Sequence, residues 1–186
     1  PRQVAAKKEV GKLHAAGRTK TDGPLELPFW DDFSAPYGLY PDTLKWTDSY
    51  SVWVNDGMAV NQPTIKVATF DGLDSLGLAY SPTEILVTGY TDQLISRPVN
   101  LGAASVLPAG RSGVYLSFFY QWQGNGEAPD RDDYLELEFK DSTETWVSML
   151  TIFPKQTFDR NIFYDTILHV MGDAFFHDHF QFRFRS

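Results

Sequence analysis

Apolar and polar positions alternate with a period of two in several short runs of this chain. In residues 134–139, Leu135, Leu137 and Phe139 fall on one face of an extended strand, and Glu136 and Glu138 fall on the other. In residues 180–185 the same rule places Phe180, Phe182 and Phe184 on one side and Gln181, Arg183 and Arg185 on the opposite one. Each run predicts a strand with one face in a core and one in water, so the Arg183 head is expected to be solvated. The run from Val114 to Trp122 is apolar on both faces, which predicts a central strand covered on both sides. Aromatic and acidic residues alternate from Leu27 to Ser34, where the folded part is expected to begin.

Turn chemistry separates these runs: Asn55-Asp56-Gly57, Asp71-Gly72, Pro108-Ala109-Gly110, Gly124-Asn125-Gly126 and the stretch from Lys140 to Glu144. Short alternating strands with such punctuation, and no helical pattern of useful length between them, predict an all-β fold of two packed antiparallel sheets. Aromatic residues make up 15% of the chain, which favours strands in the same way. Residues 1–26 differ in character. Their apolar residues are too few to bury a helical face, and Gly11 and Gly17 weaken any helix, so they are read as a basic, non-compact arm or linker. The domain proper is assigned to residues 27–186.

The formal net charge is −8 and is unevenly spread: residues 1–23 carry six basic against two acidic side chains, 6 − 2 = +4, leaving −12 for the rest. A surface of that sign repels phosphate backbones, and nucleic acid is not expected as a partner. No apolar run approaches the ~20 residues of a membrane-spanning helix, so no membrane insertion is expected. The absence of cysteine removes disulfides, thiolate metal sites and a cysteine nucleophile.

Candidate chemistry is sparse. His177-Asp178-His179 could put two imidazoles on one face, but no third ligand is evident, and the segment is read as a solvated turn before the Phe180 strand. No serine lies in a Gly-Xaa-Ser-Xaa-Gly turn, and the carboxylates cluster beside Gly, Pro or Ser in turns. That distribution suits solvated loops or the oxygen shell of a calcium ion, with Asp31, Asp32 and Asp71 as the candidate metal ligands. Of the tryptophans, Trp46 and Trp146 sit in strand patterns and are expected to be buried. Trp122, beside a Gly-Asn-Gly loop, is expected to be exposed. Trp122, Asn125 and Asp130 are therefore the candidate ligand-binding residues, on a loop that offers an aromatic plane and amides.

An ordered string of motifs carries a resemblance. Residues 29–34 (Phe-Trp-Asp-Asp-Phe-Ser), 41–46, 67–74, 115–121, 124–139 and 179–185 resemble, in that order, a domain found in large secreted proteins of the Bacteroidota. The resemblance implies a jelly-roll sandwich related in architecture to MAM and concanavalin-like lectin domains. It implies export through the type IX secretion system, frequently in association with gliding motility, and an adhesin-like role at the outer membrane or cell surface. In the related domains an acid of the first-strand motif often binds calcium, and Asp32 is the nearest match. Members usually continue beyond the Phe-Arg-Phe-Arg strand, so residues 1–186 are expected to be a portion of a longer chain whose last strand is absent. The expected function is that of a non-catalytic exported surface module binding a protein or glycan. A structural part of the type IX secretion or gliding apparatus, in contact with outer-membrane secretion components, is the alternative, and a glycan-active hydrolase is a third reading.

Overall fold

Where the period-two runs occur, strands form. The computed structural model describes residues 23–34, 38–48, 51–73, 77–78, 89–102 and 113–186. Within them the strands are β1 (Trp46–Asp48), β2 (Trp53–Asn55), β3 (Val67–Thr69), β4 (Gln93–Ser96), β5 (Tyr115–Tyr120), β6 (Leu135–Lys140), β7 (Trp146–Ile152), β8 (Tyr164–His169) and β9 (Gln181–Arg185). A 3-10 turn spans Asp173–Phe175. Most of the basic arm, the Pro108-Ala109-Gly110 turn and Asp74 lie outside them.

All strand pairs are antiparallel. Five strands form one sheet in the order β1-β4-β9-β6-β7, while β2-β3 and β5-β8 form two ribbons. The inner face of the large sheet carries Leu94, Leu137, Phe139, Phe182 and Phe184, all buried, with Trp46 and Val52 beside them. Phe139 and Val52 are fully inaccessible. Leu116, Phe118 and Leu168 of the β5-β8 ribbon pack onto this core, and the Phe118 ring meets Phe184 at 4.8 Å. The result is an all-β, sandwich-like arrangement in which edge-to-face rings fill the space between layers, as at Phe182 against Phe29 (5.3 Å) and Trp46 (5.7 Å).

The alternation predicted for β9 holds on its apolar side: Phe180, Phe182 and Phe184 are 4%, 6% and 8% exposed. The expectation of a wet opposite face does not hold. The Arg183 and Arg185 side chains are only 14% and 18% exposed, and Glu138 only 5%. The reason is the register, which sets Glu136 opposite Arg185 and Glu138 opposite Arg183, so that each charge covers its partner. The strand β5 also departs from expectation. Tyr115 and Phe119 are 57% and 54% exposed, because β5 pairs with β8 in a two-stranded ribbon whose outer face no described residue covers.

The turn from Lys140 to Thr145 forms as its residues dictate. Asp141 Oδ1 accepts from the backbone of Thr143 and Thr145 and from the Thr143 hydroxyl, closing the β6-β7 hairpin. The chain joins the fold somewhat earlier than Leu27. Leu25 bridges Val99 in parallel, Val99 bridges Phe180, and Arg97 Nη2 donates to the Gly23 carbonyl at 2.7 Å.

Candidate functional site

The loop after β5 was the leading contact region from sequence, and its side chains are largely occupied within the fold. Gln121 Oε1 accepts from Val60 N at 3.0 Å and Gln121 Nε2 donates to Val60 O at 2.9 Å, forming a two-bond clamp onto the 57–60 loop. Asn125 adds two more bonds, from its N to Met58 O (2.7 Å) and from Nδ2 to Gly57 O (3.1 Å). Gly124 makes the close approach possible. Its φ is +59°, and a Cβ there would lie 2.3 Å from Met58 O.

Trp122 is half-buried and not the exposed ring expected. It packs against Tyr120 (5.4 Å), Tyr164 (4.6 Å) and Phe158 (5.4 Å), with Lys155 Nζ 5.5 Å from its ring centre. Its indole Nε1 is buried and has no acceptor among the described residues. The freely exposed indole is Trp30 at 68%, and Trp46 is buried as expected. Asp130 is exposed, and its backbone N donates to Asp133 Oδ2 at 2.7 Å. Trp122 and Asn125 thus share one loop whose bonds chiefly close the molecule, and Asp130 stands in the exposed turn that follows.

Among the metal candidates, Asp31 has a structural partner set. Its Oδ1 accepts from Lys45 Nζ (3.1 Å) and Phe33 N (3.0 Å), its Oδ2 from Trp46 Nε1 (2.6 Å), and the side chain is 4% exposed. The Asp31 carboxylate is thus shared among an ammonium, an indole N–H and a backbone N–H. Asp32 Oδ1 accepts from Ser34 N at 3.1 Å, and the Ser34 hydrogen bonds hold its carboxyl below the usual range. Asp71 Oδ1 accepts from Leu73 N at 3.2 Å. No three acidic or histidine side chains converge among the described residues, so these aspartates are not gathered into one shell. His177-Asp178-His179 forms the turn expected: His177 Nε2 meets Lys140 O at 3.2 Å and His179 Nδ1 meets Asp178 Oδ1 at 2.7 Å.

The most organised polar chemistry lies on the outer face of the five-stranded sheet, which sequence reading took for solvent surface. Arg183 Nε donates to Glu138 Oε2 at 2.5 Å, while Arg185 Nη2 donates to Glu138 Oε1 (2.8 Å) and Glu136 Oε2 (3.2 Å). Arg185 Nε lies 2.8 Å from Glu138 Oε2 without hydrogen-bond alignment, and so adds a charge contact. Two rings lie against this ladder. The Arg183 guanidinium carbon is 4.3 Å from the Trp146 ring centre, and that of Arg185 is 3.3 Å from the Tyr90 ring centre. Trp146 therefore sits on the outer face, half-buried, and is not a core residue, because the β6-β7 register sets it opposite Lys140 and next to the ladder.

The Tyr90 hydroxyl donates to Glu136 Oε2 at 2.7 Å, and hydrogen bonding with Tyr134 and Glu136 pushes its pKa up. Burial pushes the Glu136 carboxyl up, but hydrogen bonds from Ser148 and Tyr90, with the Arg185 charge, outweigh burial and hold it below the usual range. A carboxylate whose folded pKa is depressed contributes stability that is complete above its unfolded pKa of ~4.3 and is lost as pH falls through the lower folded value. Denaturant unfolding between pH 6 and pH 3 should show wild type losing stability more steeply than Glu136→Gln below that pH. Parallel curves would mean that Glu136 is not held ionised by the ladder.

A comparison with known proteins finds no match to this chain among protein families, curated proteins or solved structures.

Proposed function

We propose that this chain is a jelly-roll module of an exported, type IX-secreted cell-surface protein, which binds a protein or glycan and carries out no catalysis of its own. The observation that supports the non-catalytic part is the condition of Glu136 and Glu138. These neighbouring carboxylates both accept from the one Arg185 guanidinium. A hydrolase of the two-carboxylate type needs one member protonated at working pH, with its pKa raised. Glu136 is shifted the other way, and Glu138 is held by two arginines.

The sandwich-like scaffold then supplies rigid faces and loops, which is what a presenting module requires. The cell surface, the outer membrane and association with gliding motility belong to this reading through the motif string of residues 29–185. Calcium belongs to it only as an added ligand near Asp32, outside the Asp31 site; equal melting curves with calcium and with chelator would remove it. Two measurements test the whole. Protease shaving of intact host cells should remove the domain from the surface, and the purified chain should leave glycan and peptide substrates uncut. Retention of the domain after shaving would overturn surface display. Cleavage abolished by Glu138→Gln would overturn the non-catalytic reading.

A further inference from the structure

We propose that the outer face of the five-stranded sheet is a binding platform for a neutral glycan chain, with the Tyr90 and Trp146 rings as its stacking surfaces. This rests on the reading of the chain as a binding module, and it moves the site from the 121–133 loop to the sheet. Both rings lie against a guanidinium, at 3.3 Å for Tyr90 and 4.3 Å for Trp146; Tyr90 remains 47% exposed, and the half-buried Trp146 also has Lys140 Nζ 5.9 Å from its ring centre. A backed ring is fixed in orientation before any ligand arrives, so little further ordering is needed when a flat apolar sugar face settles on it. The two arginines are two residues apart on β9 and share one face of the sheet, so both rings belong to that face.

The charges beneath the rings decide the ligand class. Glu136 and Glu138 are matched by Arg183 and Arg185, and Lys140 is paired with Glu144, so the face presents balanced charge and selects no ion. The exposed Thr151, opposite Glu136 in the β6-β7 register, adds a hydroxyl at the same level, and the exposed Ser148 lies opposite Glu138 with its hydroxyl bonded to Glu136. Aromatic planes beside neutral hydroxyls suit an uncharged carbohydrate. A peptide adding as a strand would need a sheet edge, and this site is a sheet face.

Affinity gel electrophoresis in laminarin, xyloglucan and glucomannan, with alginate and polygalacturonate as charged counterparts, tests the proposal. Wild type should be retarded by at least one neutral polysaccharide. Trp146→Ala and Tyr90→Ala should weaken that binding roughly tenfold, while Trp122→Ala stays within about twofold of wild type. Trp146→Phe, which keeps a ring, should restore part of the binding and guards against loss of fold in the alanine variant. Neutral binding unchanged in both platform variants would overturn the platform and leave the binding-module reading standing. Binding confined to alginate or polygalacturonate would overturn the neutral class. Retardation by no polysaccharide would overturn the proposal altogether, while surface shaving and substrate cleavage would still decide the wider reading.

Discussion

Phe182→Ala is expected to lower the unfolding free energy by about 3 to 5 kcal/mol, through lost transfer energy and the cavity left behind. Phe182 is 6% exposed and stands at the centre of an aromatic cluster, touching Phe29, Trp46 and Phe184 at ring separations of 5.3, 5.7 and 6.1 Å. Neighbouring rings on strands fixed by ladder hydrogen bonds cannot collapse into the space, so the cost belongs near the upper part of that range. Urea unfolding of the single variant measures it. A loss under about 1 kcal/mol would place Phe182 outside the packed layer, because surface substitutions cost no more than that.

Removing one charge from the ladder is expected to have the second largest effect. Arg183→Ala strips Glu138, 5% exposed, of its shortest hydrogen bond and uncovers one face of Trp146. Breaking a buried pair from one side costs about 3 to 5 kcal/mol. Arg185 still reaches Glu138, so about 2 to 3 kcal/mol is expected here. Replacing both members, Glu138→Met with Arg183→Met, should recover much of that loss, since two apolar groups of similar volume leave no orphaned charge. If Arg183→Ala costs nothing measurable, the head is solvated and the ladder contributes nothing to the fold. A double variant no better than the single one would show that the shape of the pair matters more than its charge.

The apolar half of the fold was legible in the sequence because a period of two assigns faces without knowledge of neighbours. Leu137, Phe139, Phe182 and Phe184 follow from alternation alone. The polar half was not legible, for a physical reason. A row of Glu and Arg reads as solvent face until the register between β6 and β9, some 45 residues apart in the chain, shows that each charge is opposite its complement. The same limit hid the role of Asp31, whose motif was visible but whose partners Lys45 and Trp46 arrive fourteen and fifteen residues later. It also misplaced Trp122, since a ring beside glycines looks exposed until Tyr164 and Phe158 return across it. On β5, apolar residues on both faces could not say whether a second layer exists for each. The structure places Leu116 and Phe118 against the core and leaves Tyr115 and Phe119 outside.

Because β9 lies between β4 and β6, those two strands cannot bond to each other across the position it fills. A chain emerging amino end first from a ribosome therefore holds the large sheet as two unjoined pairs, β1-β4 and β6-β7. Their inner residues, Leu94 on one pair and Leu137 and Phe139 on the other, lack their β9 neighbours Phe182 and Phe184 until residues 181–185 arrive. Pairing over such sequence separations is slow, because the loop must close before its contacts form. The large sheet is therefore completed only when β9 joins its two halves.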